Sequence, residues 1–166
     1  ASLGYAEESG VPYEQSVVRN RYVGRTFIEP TNRVRHLGVR IKLNPITEVI
    51  KGKNVVVVDD SIVRGTTCER MISMIKTCGA NQVHVRISSP PVRFPCYYGI
   101  DTPTRVELAA ARMNLRQLEQ EVGADSLAYI TEEDLLEAIG LPEQSVCTAC
   151  FSGEYMEGGE EYEPQL

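Results

Sequence analysis

Residues 53–67 read KNVVVVDDSIVRGTT: four consecutive valines run into two aspartates, and a short loop holding Gly65, Thr66 and Thr67 follows. A buried strand ending at Asp59 and Asp60, with a helix beginning at Thr66, would place both acids where open parallel sheets bind ligands, at the carboxyl ends of their strands. The loop would then lead into a helix N-terminus, whose unpaired N–H groups and dipole favour an anion. Gly65 lets the backbone approach closely, and Thr66 and Thr67 add hydroxyl donors. Carboxylates do not bind phosphate, but they accept from sugar hydroxyls and ligate a hard cation such as Mg²⁺. A phosphorylated ribose carrying a metal-bound charge meets all three demands. The alternative is a turn followed by a helix cap, which leaves the adjacent like charges without a reason. The loop is not a P-loop, because it lacks the Lys of GxxxxGK followed by Ser or Thr.

The cysteines form the second constellation. Cys147-x-x-Cys150 has metal-ligand spacing, and Cys96 lies in a proline-flanked loop earlier in the chain. Redox, zinc, cluster and purely structural readings compete for a CxxC pair. Zinc requires four nitrogen or sulfur ligands, and neither His36, on a basic connection, nor His84, inside a strand, suits the task. An odd count of five cysteines argues against a disulfide framework.

The elements that must position these residues are legible. Residues 54–58 read as a fully buried strand, apolar on both faces and hence central and parallel. From Thr66, the spacing of Cys68, Met71, Ile72, Ile75 and Cys78 predicts a helix with one buried face, ended by Gly79, so Cys68 and Cys78 read as core residues. NQVHVRISS alternates as the next strand, which completes a βαβ unit. YEQSVVRN reads as a short strand, and residues 21–45 as a basic connection too long to be idle. PPVRFPCYYGIDTP is a loop by its prolines. Helices are predicted over 104–112 and 115–122, the second capped by Asn114 and stopped by Gly123; SLAYI is a strand, and TEEDLLEAIG a helix opened by Thr131 and Asp134. ASLGYAEESG reads as the second half of a helix already under way, which suggests a fragment of a longer protein.

Composition sets the outer bounds. The make-up, 42% apolar and 24% charged, is that of a soluble single domain with a cytoplasmic default, and the apolar runs are far shorter than the ~18 residues of a membrane span. Five of the glutamates behind the net charge of −6 fall in residues 153–166, a solvated tail by composition. Residues 19–42 carry seven Lys or Arg against one acid, Glu29. With no other positive cluster in an acidic chain, this stripe suits an anionic small substrate better than nucleic acid.

VVVVDDSIVRGTT resembles the phosphoribosyl pyrophosphate (PRPP) motif of type I phosphoribosyltransferases, and its DDSIVRGTT form is similar to that of the amidophosphoribosyltransferase family. GYAEESGVPYEQ, NRYVGRTFIEPTNRVRHLGVRIKLNP, YYGIDTPTR, ADSLAYIT and CTACFSGEY extend the resemblance over nearly the whole chain except the last ten or so residues. The resemblance implies an α/β, parallel-sheet, Rossmann-like fold, present as an incomplete C-terminal portion. Residues 1–140 would belong to the transferase domain, with 21–45 as its flexible active-site loop, and 141–166 would form a Cys-x-x-Cys segment and acidic tail.

It further implies that Asp59 and Asp60 hold the ribose diol and help bind Mg²⁺. Ser61, Ile62, Val63, Arg64, Gly65, Thr66 and Thr67 would wrap the 5′-phosphate, and Arg25, Arg40 and Lys42 of the closing lid would oppose pyrophosphate. Some members carry a 4Fe–4S cluster on four cysteines. Cys96, Cys147 and Cys150 match three of these, the fourth lying upstream of Ala1, and the cluster would tie the C-terminal segment to the body. The implied reaction is attack of ammonia on PRPP, the first step of purine synthesis, with ammonia from glutamine made by a glutaminase domain that nothing here matches. The implied assembly is a homotetramer, with no nucleic-acid or membrane partner. A base-accepting phosphoribosyltransferase and a non-catalytic PRPP-binding regulator are the rival readings; the cysteine set and the basic lid argue against them.

Overall fold

A computed structural model describes residues 1–19, 43–102 and 104–156. Its centre is a three-stranded parallel sheet of β3 (Asn54–Asp59), β4 (Gln82–Ile87) and β5 (Ser126–Tyr129), in the order β3-β4-β5. Asn54 pairs with Gln82 and Asp59 with Ile87, while His84 pairs with Ser126 and Ile87 with Tyr129. Helix α3 (Thr66–Thr77) joins β3 to β4 and packs on β4; helix α5 (Leu115–Val122) precedes β5, packs on it and lies against α3.

The periodicity of α3 explains this layering. Cys68, Ile72 and Ile75 fall on one face and are buried against Val83, Val85, Ile87 and Leu127 of the sheet, together with Leu118 and Val122 of α5. Helix α5 is held at its start by a capping box, with Asn114 Oδ1 accepting from Gln117 N–H and Gln117 Oε1 accepting from Asn114 N–H. Asp125 fixes the far edge: its carboxylate accepts from Val83 N–H at 2.7 Å and pairs with Lys76 Nζ at 3.1 Å, joining α3, β4 and the entry to β5.

Around this core lie α1 (Ser2–Ser9), closed by Gly10, and an antiparallel pair of β1 (Val17–Arg19) and β2 (Leu43–Pro45), followed by the single turn α2 (Thr47–Ile50). Beyond β4 come a 3₁₀ turn (Arg105–Glu107) and α4 (Ala109–Arg112); beyond β5 come α6 (Glu132–Ile139), a second 3₁₀ turn (Glu143–Ser145) and α7 (Ala149–Ser152). Thr131 Oγ1 accepts from Asp134 N–H at the start of α6, while the Thr131 hydroxyl donates to the Asp134 carboxylate. None of the described helices is long and apolar enough to cross a membrane.

Three expectations are corrected. Among the described strands β4, not β3, is the middle one, and β3 is half-buried at the edge. Residues 43–45 are not loop but strand, since their backbone pairs with Val17–Arg19. The helix expected over 104–112 is two short pieces, because Leu108 adopts an extended conformation (φ −72°, ψ 118°) and buries its side chain completely.

Candidate functional site

Asp59 is the last residue of β3 and Asp60 the first beyond it. Asp59 Oδ1 accepts from Asp60 N–H at 3.0 Å, and Asp60 Oδ1 accepts from Ser61 N–H at 2.7 Å and from the Ser61 hydroxyl at 3.4 Å. Each carboxylate keeps its second oxygen free of protein partners among the described residues. The two acids thus present hard oxygen donors side by side, which suits a diol or a Mg²⁺ ion that retains most of its other ligands from water and substrate. Burial pushes the Asp59 carboxyl above the ordinary carboxylate value, the Asp60 N–H partly offsets this, and the Asp60 charge adds to the rise. A buried carboxyl perturbed beside a like charge at a strand end is a functional-site candidate.

The loop behind the acids carries a run of unpaired backbone donors among the described residues. No backbone N–H from Ile62 to Cys68 donates to an acceptor among the described residues; intrahelical bonding resumes at Glu69, whose N–H reaches Gly65 O at 2.9 Å. Gly65 caps α3 at φ 86°, a conformation that side chains rarely adopt, and a Cβ there would come into contact with Leu118, Ala109 and Val122. Thr66 is exposed and Thr67 half-buried, so their hydroxyls are available. The Ile62 side chain is buried in the core, so Ile62 contributes only backbone to this surface.

Two neighbours complete the site that the residue pattern alone did not single out. Ser88 donates to Asp59 O through its N–H (3.0 Å) and its hydroxyl (3.2 Å), fixing the strand end; parallel pairing of Asp59 with Ile87 was the available signal. Glu107 Oε1 lies 3.2 Å from Arg64 Nε, and nothing in the spacing of these two residues announces the pair.

The cysteines separate into two groups. Cys68 and Cys78 belong to the core and its margin, and burial pushes the Cys68 thiol up to about 12, making it a poor nucleophile. Cys96, Cys147 and Cys150 belong to the same corner of the fold, where burial raises the Cys150 thiol and Cys147 and Cys96 add to the rise. Soft sulfur donors are the right chemistry for an iron–sulfur cluster, but among the described residues no three His, Cys, Asp or Glu side chains form a group that could hold a metal ion. Protein contacts already tie this corner to the body. Arg93 and Phe94 N–H groups donate to Cys150 O at 3.0 and 3.1 Å, the Tyr155 hydroxyl donates to Pro95 O at 2.7 Å, and the Tyr97 and Tyr155 rings lie 4.9 Å apart. Gly153 lies against the Phe94 ring, and the Arg105 guanidinium stacks on that ring at 4.6 Å.

Arg25, Arg40 and Lys42, with His36 and most of the expected 21–45 lid, lie outside the described residues, as does the end of the acidic tail.

A sequence profile described as the phosphoribosyl transferase domain matches residues 9–88, and the fold is that of a type I phosphoribosyltransferase. Within that class the chain is a relative of the amidophosphoribosyltransferases. It is 49% identical to the enzyme of Synechococcus elongatus over 93% of this chain and 31% of that protein, and 50% identical to the Bacillus subtilis enzyme over 93% of this chain and 33% of that one. A solved structure of glutamine PRPP amidotransferase from B. subtilis, complexed with ADP and GMP, superposes with a TM-score of 0.82 at 48% identity, covering 99% of this chain and 36% of the other. The chain therefore spans about a third of the length of the curated relatives it matches.

Proposed function

We propose that this chain supplies the PRPP-binding part of an amidophosphoribosyltransferase, which forms 5-phosphoribosylamine and pyrophosphate from PRPP and glutamine-derived ammonia. The observation that carries this reading is the open row of N–H groups from Ile62 to Cys68, set directly behind the Asp59–Asp60 pair at the carboxyl end of a parallel sheet. The 5′-phosphate takes the N–H row and the Thr66 and Thr67 hydroxyls. The ribose hydroxyls donate to Asp59 and Asp60, which orients C1. Ammonia attacks C1, the C1–O bond to pyrophosphate breaks, and the ammonium formed loses a proton to give the amine. Asp59 and Asp60 would help hold a Mg²⁺ ion, which would supply counter-charge to the pyrophosphate when bound. Positioning and charge stabilisation account for the rate without a side-chain nucleophile. Arg25, Arg40 and Lys42 are the cations that would oppose the charge of the leaving group.

The glutaminase activity belongs to a region that this chain does not match. Cys96, Cys147 and Cys150 are the thiols that would supply ligands to a 4Fe–4S cluster, with a fourth ligand from elsewhere, once they are drawn closer together than they stand here. A cluster held there would reinforce the corner that Tyr155 and Phe94 already fasten. A cytoplasmic homotetramer is the expected assembly.

The test is pyrophosphate release by the full-length protein from PRPP, Mg²⁺ and ammonia. Turnover is expected, with Asp60→Ala weakening PRPP binding while leaving the unfolding midpoint within a few degrees. PRPP binding without turnover would reject the catalytic reading, and unchanged affinity in Asp60→Ala would reduce the acidic pair to a turn. Anaerobic purification is expected to give about four irons per chain; stoichiometric zinc would reject the cluster.

A further inference from the structure

The loop from Ser61 to Thr67 contains one cation, Arg64, and the geometry points to a role for it other than phosphate ligand. Arg64 Nε donates to Glu107 Oε1 at 3.2 Å, and the other Glu107 oxygen accepts from the Thr104 hydroxyl at 3.4 Å. Glu107 is itself fixed within its 3₁₀ turn by its N–H, which donates to Thr104 O at 2.9 Å. Just beyond that turn, Ala109 N–H donates to Val63 O at 2.8 Å, and Ala109 also lines the space beside Gly65. Two successive loop residues, Val63 and Arg64, are thus held by residues 107–109, and Ala109 also stands beside Gly65.

We propose that Glu107 is a positioning residue for the phosphate loop, and that Arg64 is the loop's anchor to it and not a ligand of the substrate. The inference rests on the PRPP reading of the loop. The Glu107 carboxylate occupies the Nε edge of the Arg64 guanidinium, and its charge offsets part of the attraction that Arg64 could offer a phosphate. An anchor, by contrast, needs that carboxylate. The row of N–H groups then carries phosphate recognition, and the ion pair keeps the row in register.

The two roles predict opposite signs. PRPP affinity would be measured for wild type, Arg64→Gln, Glu107→Gln and the double variant in the full-length protein, with KM and kcat determined separately. If the pair anchors the loop, each single change weakens PRPP binding by about two- to fivefold, as expected for a half-exposed ion pair, and the double variant is no worse than either single one. KM rises while kcat holds, and the difference between wild type and Glu107→Gln shrinks towards 1 M salt, where the pair is screened. If Arg64 is a ligand, Arg64→Gln weakens binding by more than about tenfold, Glu107→Gln tightens it by releasing the cation, and the inference is overturned. Additive losses, or a lower melting temperature with unchanged PRPP affinity, would overturn it too. Failure of the wild type itself to bind PRPP would reject the functional reading along with it, which separates the two failures.

Discussion

The contact between Gly153 and Phe94 permits a quantitative test of how the cysteine corner is built. Gly153 has φ 83°, and a Cβ placed there would lie 2.7 Å from Phe94 Cζ, 2.9 Å from Cε1 and 3.0 Å from Cε2. Gly153→Ala therefore incurs two costs. A left-handed backbone with a side chain costs roughly 1–2 kcal/mol, and forcing a methyl group into occupied space costs about 1–3 kcal/mol, for a total of about 2–5 kcal/mol. The ring cannot swing aside freely, because the Arg105 guanidinium covers it at 4.6 Å and its backbone N–H is bonded to Cys150 O. Gly123→Ala provides an internal control: its φ is 73° and no atom lies within 4 Å of its Cβ position, so only the backbone cost applies, about 1–2 kcal/mol. Urea unfolding of the two variants should separate them by at least about 1 kcal/mol, and Phe94→Leu should relieve much of the excess in the Gly153→Ala background. Hydrogen exchange of the Arg93 and Phe94 amides reports the same event locally, because both donate to Cys150 O. Equal destabilisation by both alanines, with unchanged protection of those amides, would refute the packing argument.

Two further predictions concern pH. Asp59 has a folded-state pKa above its ordinary value, chiefly through burial, so its ionisation opposes folding and stability declines as pH rises through the window from 3.8 up to the raised value. Asp59→Asn should accordingly flatten that decline and raise the unfolding midpoint at neutral pH while abolishing PRPP binding; a midpoint that falls would contradict the burial argument. Asp125 behaves in the opposite way: its N–H bond from Val83 and its pairing with Lys76 hold the carboxyl below the usual range. Its contribution is present above pH 3.8 and lost as pH falls through the lower folded value. Asp125→Asn should remove that acid dependence at a cost of no more than about 1 kcal/mol, since the pair is exposed; an unaltered acid limb in urea titrations would dismiss the contribution.

Elements with strong periodic signals were legible in the residues. Cys68, Ile72 and Ile75 mark the buried face of α3, Val83, Val85 and Ile87 mark β4, and Asn114 with Gly123 bound α5. The valines of β3 were legible as a strand, but its place beside β4 at the edge of the described strands was not, because an apolar run reports what a strand is built to bury, whereas sheet order depends on which strands lie beside it. Leu43–Pro45 was missed because pairing with Val17–Arg19 is a tertiary fact that three residues cannot encode. At the site, the acids and the Gly65 turn were legible because one short stretch carries them. Ser88 required the parallel register, and Glu107 required the path of a chain whose intervening residues have no common period.

The all-parallel sheet also bears on how the site comes into being. No pair among β3, β4 and β5 can form by a local hairpin, so each must wait for a helical crossover to fold back. The Asp125 carboxylate that receives Val83 N–H lies 42 positions further along the chain. Long loops must close before any of these bonds repays the entropy lost, which places the sheet among the slower steps of folding. Asp59 and its phosphate loop sit at the end of that sheet, so the chain acquires its binding surface only when its long-range topology is complete.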